Sequence, residues 1–150
     1  MDIREEVSPA VVADTAALPF MENAFDLVVW DPPHVVNGPE SRMAEYYGAQ
    51  RAEDIRRMIK GTAVELYRVT TEDAVLALKW NDHDVKLERI LKLMEGWDPL
   101  FGQRVASRMK HRSSTYWVML KKRAPGYTPK QLAFKMLGHE SGFESAKPDW

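Results

Sequence analysis

The chain is predicted to be an α/β protein with a mostly parallel sheet and an antiparallel hairpin at its C-terminal edge. Two nearly continuous apolar runs, residues 25–30 and 74–80, suit strands of a parallel sheet buried on both faces. Stretches with apolar residues at helical spacing follow each of them. The last third then offers two more strand-like runs joined by a basic, Ser-rich loop.

Taken in order, Val11-Val12-Ala13 is a short apolar run closed by Asp14. Residues 25–30, Phe-Asp-Leu-Val-Val-Trp, form the first long strand, and Asp31-Pro32-Pro33 must end it. Proline donates no ladder hydrogen bond and restricts the residue before it. A helix is predicted over residues 52–68, with Ile55, Met58, Ile59, Ala63 and Leu66 on one face and Gly61 as its weak point. Residues 74–80 give the next strand. Leu87, Ile90, Leu91 and Met94 then mark a second helix that Gly96 can close. Residues 100–107 and 115–121 read as the final hairpin, with residues 108–114 as its loop. Residues 1–123 make one α/β domain, and residues 124–150 a C-terminal tail with at most a short helix at 130–137.

With 150 residues, 45% apolar and 29% charged, the chain can build one core. It has no cysteine, which excludes a disulfide framework, a cysteine zinc site and a thiol nucleophile. That usage and the lack of a signal peptide or long apolar run point to a cytoplasmic protein with no membrane contact. The net charge of −1 hides a gradient: −7 over residues 1–50, −1 over 51–100 and +7 over 101–150. From Pro99 to His139 there are nine Lys and Arg and no carboxylate. Such a segment is a candidate contact for a polyanion, or else a solvated basic face.

The tetrapeptide Asp31-Pro32-Pro33-His34 carries the most chemistry. It follows a buried strand, and in open parallel sheets ligands bind beyond the carboxyl ends of the strands. A carboxylate there can accept a hydrogen bond from an amino group. The prolines fix the backbone, so the carbonyl between them is aimed without an entropy cost on binding. The imidazole of His34 offers a face on which a planar base can stack. Together they describe a socket for a planar amine.

This pattern resembles the class I S-adenosylmethionine-dependent methyltransferases, and among them the amino-methyltransferases of DNA and RNA with an Asp-Pro-Pro-Tyr type motif. Upstream, Val12-Ala13-Asp14, Leu18-Pro19-Phe20 and Phe25-Asp26-Leu27-Val28-Val29 are similar to the family's stretch from third to fourth strand. The resemblance covers roughly residues 2–121 and implies a Rossmann-like methyltransferase fold. It implies S-adenosyl-L-methionine as cofactor, with Asp14 near the adenine and Asp2 at the ribose hydroxyls. Asp31 and a proline carbonyl would hold the two amino protons of a flipped adenine or cytosine, and His34, in place of the commoner Tyr, would stack on the base. The partner implied is nucleic acid, with DNA favoured over RNA; no metal is implied. Arg108, Lys110 and Arg112 in the hairpin loop would contact phosphates. Lys79 and Trp80, closing the strand 74–80, would line the substrate side, or else serve as a snorkelling stem and a core ring.

One departure is plain. The family grips its cofactor with a Gly-rich turn after the first strand, and no Gly-x-Gly pair occurs here. The expectation is therefore a truncated fold without its first strand and helix, or a non-catalytic remnant acting as a binding module. A small-molecule or protein methyltransferase is the further alternative. The histidines, His34, His83, His111 and His139, are too scattered for a metal motif. Asn81-Asp82-His83-Asp84 reads as a polar loop and helix start, and Thr115-Tyr116-Trp117-Val118 as edge-strand packing ahead of a base-stacking platform.

Overall fold

A computed structural model describes residues 1–42, 44, 50–105 and 114–124. Its elements run in the order β1 (Phe25–Trp30), α1 (Ala52–Val69), β2 (Thr70–Asn81), α2 (Leu87–Leu91), β3 (Trp97–Arg104) and β4 (Thr115–Lys122). The four strands form one sheet in the order β1-β2-β4-β3. β1 lies parallel to β2, with Trp30 beside Leu78, whereas β2 with β4 and β4 with β3 are antiparallel. Among the described residues the sheet is thus mixed and not mostly parallel. The hairpin inserts β4 next to β2, so two of the three ladders become antiparallel. The run at residues 11–13 contributes a single parallel bridge, Asp2 with Val12, because Asp14 turns the chain at once.

α1 forms because Ile55, Ile59, Ala63 and Leu66 recur on one side, and all are buried against the sheet. Gly61 is accommodated for a specific reason: a Cβ there would lie 3.1 Å from the Ala16 Cβ, where the 14–18 segment crosses the helix. α1 runs into β2 without a loop. Thr70 closes the last helical turn by donating its hydroxyl to the Leu66 carbonyl at 2.6 Å. The buried Lys122 ammonium donates to the Thr70 carbonyl at 2.5 Å and lies 4.3 Å from the centre of the Tyr67 ring. Burial pushes the Lys122 pKa down. α2 is shorter than its apolar spacing suggests, and Ile90 and Met94 still reach the core. Gly96 follows at φ +86°, a left-handed turn in which a Cβ would also strike the Tyr67 ring.

The core occupies one face of the sheet. Trp30, Leu76, Leu78, Trp80, Val118 and Leu120 meet the helices there. Among the described residues the opposite face is largely open, with Ala77 buried at its centre, contrary to the expectation of burial from the apolar runs. Leu27 and Val29 of β1 are 56% and 64% exposed, and Phe101 of β3 is 67% exposed. No helix among the described residues is long and apolar enough to cross a membrane.

Candidate active site

The carboxyl ends of β1 and β2 share one rim of the sheet. β4 is antiparallel to β2, so its first residues, Thr115 and Tyr116, sit beside Asn81 and Trp80 on the same rim. The segment linking Arg104 to Thr115 therefore leaves and returns there, with Val105 N–H bonded to the Thr115 carbonyl. Arg108, Lys110 and Arg112 belong to that segment but lie outside the described residues, as does the helix expected at 130–137.

At this rim a cleft of about 640 Å³ opens between the end of β1 and the N-terminal segment. Its walls include Asp31, Pro32, Pro33 and His34 on one side and Asp2 and Asp14 on the other. The six residues assigned from sequence to amine and cofactor thus line a single cavity, of a size usual for small-molecule sites.

Asp31 follows the last residue of β1, and its Oδ2 accepts the Lys79 ammonium at 2.6 Å. Parallel pairing of Trp30 with Leu78 puts these two side chains opposite each other across the strands. Both are partly exposed, so the pair contributes at most about 1 kcal/mol. Pro32 is buried, and its carbonyl takes the Nδ1–H of His34 at 3.1 Å, leaving Nε2 as an acceptor. That carbonyl keeps a second lone pair for another donor.

Trp80 does not line the cleft. It is fully buried, and its indole N–H donates to the Val85 carbonyl at 2.8 Å. It reaches the site only through His34, whose ring meets it edge-on at 5.8 Å. Direct contact with a substrate, one of the two roles expected for Trp80, is closed to it by burial.

The far wall is built by other contacts. Asp2 is clamped by Arg4, whose Nε and Nη2 lie 3.0 Å from its two oxygens, and this holds its pKa down at about 2. Asp14 accepts the Ala16 N–H at 2.8 Å in an Asx turn. Arg68 holds the following segment by donating to the Leu18 and Phe20 carbonyls, and Glu65 accepts the Leu18 N–H. The same arginine holds the Glu65 carboxyl below its ordinary range. The loop after His34 is fixed by Val36 N–H on Asp84 Oδ2 at 2.8 Å. Sequence reading missed Arg4 and Asp84. Arg4 stands two residues from its partner and could have been found by that spacing, whereas Asp84 is 48 residues from Val36 and left no local signal. Among the described residues, no three His, Asp or Glu side chains converge as a metal site.

No protein-family model and no curated protein matches the chain significantly. Solved structures do. The crystal structure of the 4+2 cyclase SpnF is 14% identical, covers 76% of this chain and 55% of its own, and superposes with a TM-score of 0.51. An S-adenosylmethionine-dependent methyltransferase from Methanosarcina mazei is 10% identical over 75% of this chain and 66% of its own, with a TM-score of 0.48. A proposed DNA modification methylase from Thermus thermophilus is 14% identical over 82% of this chain and 57% of its own, also at 0.48. The likeness is one of fold. The chain spans between 55% and 66% of the length of these structures.

Proposed function

We propose that this chain carries the amine-positioning part of an S-adenosylmethionine-dependent methyltransferase acting on an exocyclic amine of adenine or cytosine in nucleic acid. The observation that supports it is the convergence of Asp31-Pro32-Pro33-His34 with Asp2 and Asp14 on one cleft. The adenosine half of the cofactor fits this wall. Asp14 is exposed, and the Asp2 oxygens keep acceptor capacity beside Arg4. The amino-acid half is not matched by what is described, since no glycine lines the cleft to bring bare backbone close to a charged ligand.

When bound, S-adenosylmethionine supplies an electrophilic methyl group on sulfur. The protein's part is orientation. Asp31 accepts one amino proton, displacing the Lys79 ammonium, and the Pro32 carbonyl accepts the other on its second lone pair. These two acceptors set the direction of the nitrogen lone pair. His34, held edge-on by Trp80 and tied back to Pro32, presents its ring to the base. Most of the rate gain then comes from placement and exclusion of water. The glycine-free cleft favours a second reading, a methyltransferase fold retained as a non-catalytic binding module.

The two readings separate in one experiment. Transfer of radiolabelled methyl groups to oligonucleotides is measured for the wild type and Asp31→Ala, with cofactor affinity followed by calorimetry. The enzyme reading expects the substitution to lower transfer by about a hundredfold or more, as for loss of one preorganised polar contact, with cofactor affinity within severalfold. A variant that keeps most of its turnover refutes the role of Asp31. A wild type that neither binds the cofactor nor transfers methyl groups selects the binding module.

A further inference from the structure

We infer that the open face of the sheet is a stacking platform for single-stranded nucleic acid, centred on Trp117 and Phe101. Register fixes which side chains share this face. Lys79 pairs with Trp117 and Trp117 with Gln103, while Ala77 pairs with Met119 and Met119 with Phe101. Lys79, Trp117 and Gln103 therefore form one row across three strands at the rim, which Asp31, one residue past β1, extends through its contact with Lys79, and Phe101 lies diagonally below Trp117. Among the described residues the helices cover only the other face. Phe101 is 67% exposed and Trp117 37%, so two aromatic rings on neighbouring strands meet solvent on a sheet backed by helices.

Aromatic rings on an open sheet face suit unpaired bases, because every base has a π-face to stack. The charge agrees. Residues 99–139, which include all of β4 and β3 from its third residue on, hold nine Lys and Arg and no carboxylate in the sequence. The acids near this face are already answered: Asp31 by Lys79 at 2.6 Å, Asp73 by Lys121 at 3.1 Å and Asp98 by Arg123 at 2.6 Å. At 4.7–4.9 Å per strand, Trp117 stands about 10 Å from Asp31, two strands away. The platform extends the proposed function by giving the nucleotides beside the target base a place to stack, and strand binding itself needs no cofactor.

The test is fluorescence anisotropy of a short labelled oligonucleotide, single-stranded and duplex, without cofactor. The wild type should bind the single strand more tightly than the duplex. Trp117→Leu should weaken single-strand binding at least about fivefold, the factor one lost base stack represents, and Phe101→Leu should act in the same direction. Trp117→Phe, which keeps a ring at the same place, should restore most of the loss and so exclude misfolding as the cause. Equal single-strand binding by the wild type and Trp117→Leu overturns the platform, and so does no binding by the wild type. A concentration-dependent dimer that both leucine variants dissociate, with no strand binding, overturns it in favour of a protein interface. If strand binding depends on Trp117 while methyl transfer is absent, the platform stands and the methyltransferase reading falls.

Discussion

Trp80→Phe isolates the residue that links core and candidate site. The substitution keeps an aromatic ring in a fully buried position and removes the N–H that reaches the Val85 carbonyl at 2.8 Å. The lost hydrogen bond costs about 1 kcal/mol, and leaving a buried carbonyl unsatisfied costs about 1–3 kcal/mol, in part the same energy counted from its other partner. The smaller ring leaves a cavity that costs about 1 kcal/mol more. A loss of about 2–4 kcal/mol follows, a large share of the 5–15 kcal/mol typical of a domain. Urea denaturation followed by circular dichroism measures it directly, and an unchanged m-value would show that the same surface unfolds. In a melt, the midpoint should fall by about 4–16 °C for a chain of this size. His34 also loses part of the edge against which it rests, so its ring resonances should broaden or shift. A loss under about 0.5 kcal/mol, within the range of ordinary surface substitutions, would refute the burial argument and return Trp80 to the cleft wall.

Two further outcomes follow from charge. Arg4→Ala should raise the Asp2 pKa from about 2 toward 3.8, as read by NMR titration of its carboxyl carbon. Because the folded value is the lower one, Asp2 adds stability that is full above 3.8 and is lost as pH falls through about 2, so the variant should show a flatter acid limb in that window; an unmoved titration would remove the clamp. Neutralising Arg108, Lys110 and Arg112 together should flatten the dependence of log affinity for nucleic acid on log salt by up to about 3 units, at roughly 0.7–0.9 per phosphate contact. An unchanged slope would make the loop a merely solvated basic segment.

The parts of the fold that could be read from sequence are those with local punctuation. β1 begins and ends where its apolar run does, because two prolines stop it. α1 ends one residue beyond its predicted limit, since nothing but helical spacing defined it. β2 starts at Thr70, four residues earlier than its apolar run, because Glu72 and Asp73 disguise an exposed strand end as a loop. The same limit applied to the faces. Continuous apolar runs suggest burial on both sides, yet Phe25, Val28 and Trp30 of β1 pack on the core while Leu27 and Val29 remain in solvent. At the site, Asp31-Pro32-Pro33-His34 was visible because strand and turn are contiguous. The Asp31–Lys79 contact was not, since it depends on the parallel register of strands 48 residues apart.

That contact bears on how the site would work. A carboxylate held ready for a neutral amine has to stay aimed while no amine is present. Lys79, opposite Asp31 on the next strand, supplies an ammonium at 2.6 Å that aims it. The pair is partly exposed, so its strength is of the order of 0–1 kcal/mol, comparable to one net hydrogen bond. An incoming amino group can therefore displace Lys79 at little cost. A buried pair would behave differently, since separating it would leave an uncompensated charge and cost about 3–5 kcal/mol. Once displaced, the ammonium remains on the open face beside Trp117, its register partner on β4. There it can meet the phosphate of a strand lying across the rim, so the same lysine would serve Asp31 in the free protein and the backbone in the complex.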